Sequence, residues 1–173
     1  DEKVNFSLKM ESDLAAKDKV KNVPYNGVQD NTTQRHIFSS AGLNAYSKSR
    51  MCAAYAYALI EQGDKNAMEG IGQAARLFTA LDANDIVEKA YTHTLNILDG
   101  SPVPSGHYDV IFDEEVQASL FGVFTLMFSG KSAKDGVNPM REKLGDSIAD
   151  ARLNLTDQPL STEGFGYQLF DAE

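Results

Sequence analysis

Residues 54–59 read Ala-Tyr-Ala-Tyr-Ala-Leu, small and large side chains in strict alternation. Successive side chains of a strand point to opposite faces, so this period of two commits the segment to a half-buried β-strand. The texture extends around it. From Gln34 to Ile60 the residues are β-branched, aromatic or small, with Ala41-Gly42-Leu43 as a turn between two extended segments. Gln62-Gly-Asp-Lys65 has the composition of a hairpin turn, and residues 66–78 return as a further strand despite their alanines. The expectation is a curved antiparallel sheet around residues 34–78.

Helical periodicity appears on either side. Within residues 1–20, Val4, Leu8, Glu11 and Ala15 share one helical stripe and Phe6, Met10 and Leu14 a neighbouring one. Asn22-Val-Pro-Tyr-Asn-Gly27 should end this helix, since Pro24 resists helix and Asn26-Gly27 suits a tight turn. Asp82 or Asn84 can cap a second helix running to about Leu98, with Ile86, Ala90, His93, Leu95 and Ile97 on one face and Gly100 as its stop. Ser101-Pro-Val-Pro-Ser-Gly106 reads as a linker. Beyond it, residues 108–112 read as a short buried strand, and Asp113 as the N-cap of a helix whose first turn holds Glu114 and Glu115. On that helix Val116, Leu120, Val123 and Met127 form one stripe and Phe121, Phe124 and Phe128 another. So apolar a circumference is expected to be buried, against the strand before it or against a partner subunit. The class is α+β, a sheet packed by helices followed by a second strand-helix unit.

Composition excludes several functions. With 173 residues, 42 % hydrophobic, the chain can bury a core as one ordinary domain or two small ones. A net charge of −9 without any Lys/Arg-rich block disfavours direct nucleic-acid binding. No basic amphipathic stretch suits a membrane surface, and no apolar run approaches the ~20 residues needed to span a bilayer. Asp1-Glu2-Lys3 does not open a secretory signal, so the expected location is the cytoplasm. Cys52, the single cysteine, reads as a small buried hydrophobe. His36, His93 and His107 lie in different elements without zinc-ligand spacing. Ser39, Ser40 and Ser105 have no evident base, and Gly70-Ile-Gly72 and Gly164-Phe-Gly166 are too short to be phosphate cradles. Asp113-Glu-Glu115 is accounted for by helix capping rather than acid/base work.

A series of ordered blocks is more specific. Asn22-Val-Pro-Tyr-Asn-Gly-Val28, Ser39-Ser-Ala-Gly-Leu43 and Pro104-Ser-Gly-His-Tyr-Asp-Val-Ile111 resemble, in this order, stretches of TldD/PmbA proteins, the family also described as modulators of DNA gyrase. Ser129-Gly130, Glu142-Lys-Leu-Gly-Asp146, Leu155-Thr-Asp-Gln-Pro159 and Gly164-Phe-Gly166 through Phe170-Asp-Ala-Glu173 resemble the blocks that follow. Ala172 departs from the family pattern, which has an acidic residue or glycine there. The resemblance covers nearly the whole chain and implies a fragment: residues 1–100 as the end of an N-terminal α+β region, 101–106 as a linker, and 107–173 as the incomplete start of a central domain.

Catalytic members of this family carry H-E-x-x-x-H on the helix after the Tyr-Asp-Val-Ile segment. Counting without a gap, the resemblance places those positions on Gly122, Val123 and Met127. None supplies a zinc ligand or general base of the required kind. The implied protein is the metal-free subunit type called PmbA or TldE, without cofactor and inactive alone. It would partner a TldD-like zinc metallopeptidase in proteolysis or maturation of small unfolded, extended peptides. The alternative is a stand-alone homodimeric peptide-binding or scaffolding protein.

Overall fold

In the computed structural model, which describes residues 1–161, the chain forms two units, residues 1–102 with residues 158–161, and residues 103–157. The first unit opens with helix α1, Glu2–Ala15, whose N-cap Asp1 accepts from the Lys3 amide. Lys19, at φ +63°, turns the chain into strand β1, Val20–Phe38. Strands β2, Asn44–Gln62, and β3, Lys65–Ala75, complete an antiparallel sheet of order β1-β2-β3. A 3-10 turn, Phe78–Ala80, leads to helix α2, Ala83–Leu98, capped by Asp82 through the amides of Asn84 and Asp85.

The sheet is longer than its alternation suggests, because β1 begins at Val20 and runs through residues 22–27, where a turn is expected. Pro24 and the Asn-Gly pair are turn formers locally, but β1 is an edge strand and Pro24 lies between Asn22 and Tyr25, where the register with β2 shifts. A bulged edge strand loses no ladder bond to proline. Asn26 is used differently as well: its amide donates to the Ser7 carbonyl at 3.2 Å and accepts from the Ser7 hydroxyl at 3.1 Å, tying β1 to α1.

The alternation at 54–59 sorts the two faces. Cys52, Ala54, Ala56, Ala58 and Ile60 point into a core with Met10 and Leu14 of α1 and Ile86, Val87, Ala90 and Leu98 of α2. Three alanines in a row let the two helices seat close to the sheet, and each buried Met, Leu or Ile adds about 1.5–3 kcal/mol of hydrophobic stabilisation. Phe6 and Phe78 meet edge to face at 5.2 Å at the margin. Thr94, fully buried, has its hydroxyl 2.7 Å from the Ala90 carbonyl and 3.1 Å from that of Glu69, linking α2 to β3.

The other face carries Tyr55, Tyr57 and Leu59. A Cβ on Gly70 would come within 2.4 Å of the Tyr57 ring and 2.5 Å of the Ala56 carbonyl oxygen, and one on Gly27 within 3.0 Å of the Tyr55 hydroxyl. Both glycines therefore make room for tyrosines folded down onto the strands.

Beyond Ala75 the chain leaves the sheet, so residues 44–51 of β2 pair, among the described residues, only with β1. The ribbon so formed ends in the turn at 39–43. At its base Arg50 holds Asp30 with two bonds, Nε to Oδ1 at 2.9 Å and Nη2 to Oδ2 at 2.6 Å, and Lys3 of α1 also reaches Asp30.

The second unit holds helix α3, Glu114–Phe124, a 3-10 turn Thr125–Phe128, and a short helix α4, Gly130–Lys134. Residues 108–112 form neither the expected strand nor a buried segment, with Ile111 97 % exposed. No residue of α3 is buried. Residues 103–157 contribute nothing to the core, and the apolar stripes of α3 are at most half-buried, as at Phe121.

Candidate functional site

Asp113 caps α3 by accepting from the Val116 amide at 2.8 Å, a local interaction of the kind its sequence position indicates. At the other end the Thr125 hydroxyl donates to the Gly122 carbonyl at 2.8 Å, and the chain tightens into the 3-10 turn. Back-bonding of this kind competes with the helical ladder and favours a break. Gly122 and Val123 thus occupy the last turn of α3, while Met127 lies on the 3-10 turn after it. Asn138, the one buried residue of the unit among the described residues, anchors that turn. Its amide donates to the Met127 carbonyl at 3.0 Å and its side-chain oxygen accepts from the Met140 amide at 2.8 Å. Sequence reasoning missed Asn138; an Asn before Pro139 is its only local signal.

Gly122 and Val123 face solvent, Val123 at 73 % exposure, and a Cβ built on Gly122 meets nothing within 4 Å. The expected burial of this stripe does not hold here. Zinc, which the family implies for its catalytic members, does not fit these three residues: glycine and valine offer no donor atom and a thioether is too soft a ligand. Beside Met127 lies a cavity of about 370 Å³ lined by Phe128, Asn138, Met140, Leu144 and Ile148. Arg141 and Lys143 share its walls with these apolar side chains.

The remaining sequence candidates are dispersed. His36 packs on Phe38 at 4.0 Å and bonds Asn44 Oδ1 at 2.8 Å near the ribbon tip. His93 lies on α2, and His107 in the irregular segment before α3. Cys52 is free and buried. Among the described residues, no group of three His, Cys, Asp or Glu side chains is placed to hold a metal ion. Gly164, Gly166 and Ala172 lie outside the described residues. No helix among those described is long and apolar enough to cross a membrane.

A second recess follows from the early end of β3. It measures about 490 Å³ and is lined by Thr33, Lys48, Ser49, Arg50, Arg76 and Leu77, among others. It combines cationic side chains with a stretch of the β2 main-chain edge that no described strand covers. The guanidinium of Arg50, foremost, and then Lys3 hold the Asp30 carboxyl well below the usual carboxylate range.

The architecture is that of an α+β protein with a three-stranded antiparallel sheet under two helices and a separate helical unit. Residues 1–98 match the PmbA/TldA metallopeptidase central domain and residues 105–173 the PmbA/TldA metallopeptidase C-terminal domain. The chain belongs to the PmbA/TldD metallopeptidase family. It is 33 % identical over 104 residues to a metalloprotease of Methanothermobacter thermautotrophicus, a match covering 56 % of this chain and 22 % of that protein. Two solved structures share the fold, both described as candidate modulators of DNA gyrase. One, from Bacteroides thetaiotaomicron, has a TM-score of 0.81 at 21 % identity, covering 91 % of this chain and 36 % of the other. The second, from Thermotoga maritima, has a TM-score of 0.77 at 22 % identity, covering 84 % and 34 %. The chain thus spans about a fifth of the metalloprotease and a third of each solved structure.

Proposed function

We propose that this chain is part of a metal-free, cytoplasmic subunit that handles extended peptides for a zinc-bearing member of the PmbA/TldD family. The observation that supports it is the absence of any zinc donor at Gly122 and Val123, and of a suitable one at Met127, in a chain of a metallopeptidase family. The sheet supports the peptide half of the reading. Residues 44–51 of β2 offer main-chain donors and acceptors on an edge that β3 leaves unpaired, and an extended peptide can add there as a further strand. Lys48 beside that edge suits a peptide with an acidic residue or a terminal carboxylate.

The test pairs elemental analysis with an activity assay. The purified protein should hold well under one zinc per chain after dialysis, cleave no unfolded peptide alone, and raise the cleavage rate of a zinc-bearing family member mixed with it. One zinc per chain, with a peptidase activity abolished by chelation, would overturn the reading. So would a rate for the zinc-bearing member that does not change on mixing.

A further inference from the structure

Residues 31–60 contain no Asp or Glu, the longest such run in a chain with 25 acidic residues and a net charge of −9. The outer part of this run, residues 31–51, is the two-stranded ribbon beyond Asp30. Its side chains are ordered along the ribbon axis. At the turn stand Phe38, 67 % exposed, and Leu43, also exposed. Rings come next, with His36 between Phe38 and Tyr46, and the Tyr46 hydroxyl donates to Gln34 at 3.1 Å. Cations follow: Arg35 opposite Ser47 and Lys48 opposite Gln34 occupy neighbouring rungs on opposite faces. Arg50 is engaged by Asp30, whereas neither Arg35 nor Lys48 has an acidic partner among the described residues. The turn also satisfies much of its own main chain. The Ser39 amide donates to the Leu43 carbonyl at 3.0 Å, that of Gly42 to the Ser39 carbonyl at 3.1 Å, and that of Leu43 to the Ser39 hydroxyl at 3.3 Å. A segment entering a medium poor in water needs its amides paired in this way.

We propose that the ribbon tip docks on an anionic lipid surface, with Phe38 and Leu43 entering below the headgroups and Arg35 and Lys48 meeting the lipid phosphates. The order of the side chains selects this occupant, because apolar, aromatic and cationic is the order of layers met on leaving a leaflet. Three rungs, about 10 Å, separate Phe38 from Arg35. That is close to the ~5–10 Å by which interfacial segments bury their apolar side. Cations on both faces at nearly one height suit a plane, whereas a groove in a partner protein would read one face. The acidity of the chain does not oppose the contact. Asp30, the nearest acid along the ribbon, lies about 26 Å from Phe38, some three Debye lengths at physiological salt, and is already paired. Helical amphipathy, the usual sequence signal of a surface-bound segment, has no place in a ribbon; here the gradient runs along the axis, and only the pairing of β1 with β2 reveals it. The docking goes beyond the metal-free subunit reading and does not rest on it.

Cosedimentation with vesicles tests it, one set of phosphatidylcholine alone and one rich in phosphatidylglycerol. The protein should pellet with the anionic set and not with the neutral one. Lys48→Glu and Phe38→Ser should each weaken that binding about fivefold or more, the scale of one cation at an anionic surface, and Leu8→Glu on the exposed side of α1 should leave it unchanged. The chain has no tryptophan, so Phe38→Trp makes the tip visible by fluorescence. Its emission should shift to the blue on anionic vesicles, while that of Leu8→Trp should not. No binding to anionic vesicles, equal binding to neutral ones, a Lys48→Glu or Phe38→Ser protein that binds like the parent, or a Phe38→Trp emission that does not move would each overturn the proposal. So would a tip that engages a zinc-bearing family member and no vesicle.

Discussion

Gly70 and Gly122 are both glycines inside regular elements, and their surroundings give them opposite roles. At Gly70 a single added methyl would lie 2.4 Å from the Tyr57 ring and 2.5 Å from a backbone oxygen, so strand or ring must move. Gly70→Ala should cost about 1–3 kcal/mol, the range for overpacking. At Gly122 the added methyl meets nothing, and alanine is the better helix former by about 0.5–1 kcal/mol, so Gly122→Ala should stabilise. Urea unfolding of the two variants should give shifts of opposite sign. The same exposure decides Val123→Glu, which the apolar stripe of the sequence would have made costly. With Val123 73 % open to solvent, it should stay within about 0.5 kcal/mol of the parent, and a loss of several kcal/mol would mean that this face is covered after all.

Among the elements, those written in local signals were legible: α2 with its Asp82 cap, the turn through 41–43 and that at 62–65, and the cap at Asp113. Those decided by neighbours were not. Pro24 and Asn26-Gly27 spell a turn until the bulged edge position, the Ser7 clamp and the Tyr55 ring are known. Residues 108–112 look like a strand by composition, yet no described strand pairs with them. Of the candidate site, Gly122, Val123 and Met127 came only from counting along a family resemblance. The recess beside β2 was not legible, because it depends on where β3 ends. The Asp30 cluster at the ribbon's base gives a prediction at this scale. Because Arg50 and Lys3 depress the folded-state pKa of Asp30, its contribution is present above the ordinary aspartate value of about 4 and is lost as pH falls through the depressed folded value. Asp30→Asn should therefore lower the thermal midpoint at neutral pH, and the gap to the parent should narrow in strong acid. A gap that widens in acid would contradict this origin.

For the molecule as a whole, the two units differ in what holds them. The core residues all lie between Met10 and Leu98, whereas residues 103–157 bury only Asn138 among those described. Local opening is governed by such differences in buried apolar contact. Limited proteolysis read by mass spectrometry should cut first within 103–157 and leave a resistant product close to residues 1–100, and early cuts inside β2 would refute this. The long hairpin adds a mechanical consequence. Strands of 19 residues are about 60 Å long, and the ribbon past the Asp30–Arg50 clamp projects roughly 25 Å without a third strand among the described residues. That makes it a lever with its fulcrum at the clamp: a tilt of about 10° there carries the tip some 4 Å on that length. Whatever grips the tip near Phe38 and Tyr46 would thus feel, amplified, any small change in how Lys3 and Arg50 hold one carboxylate.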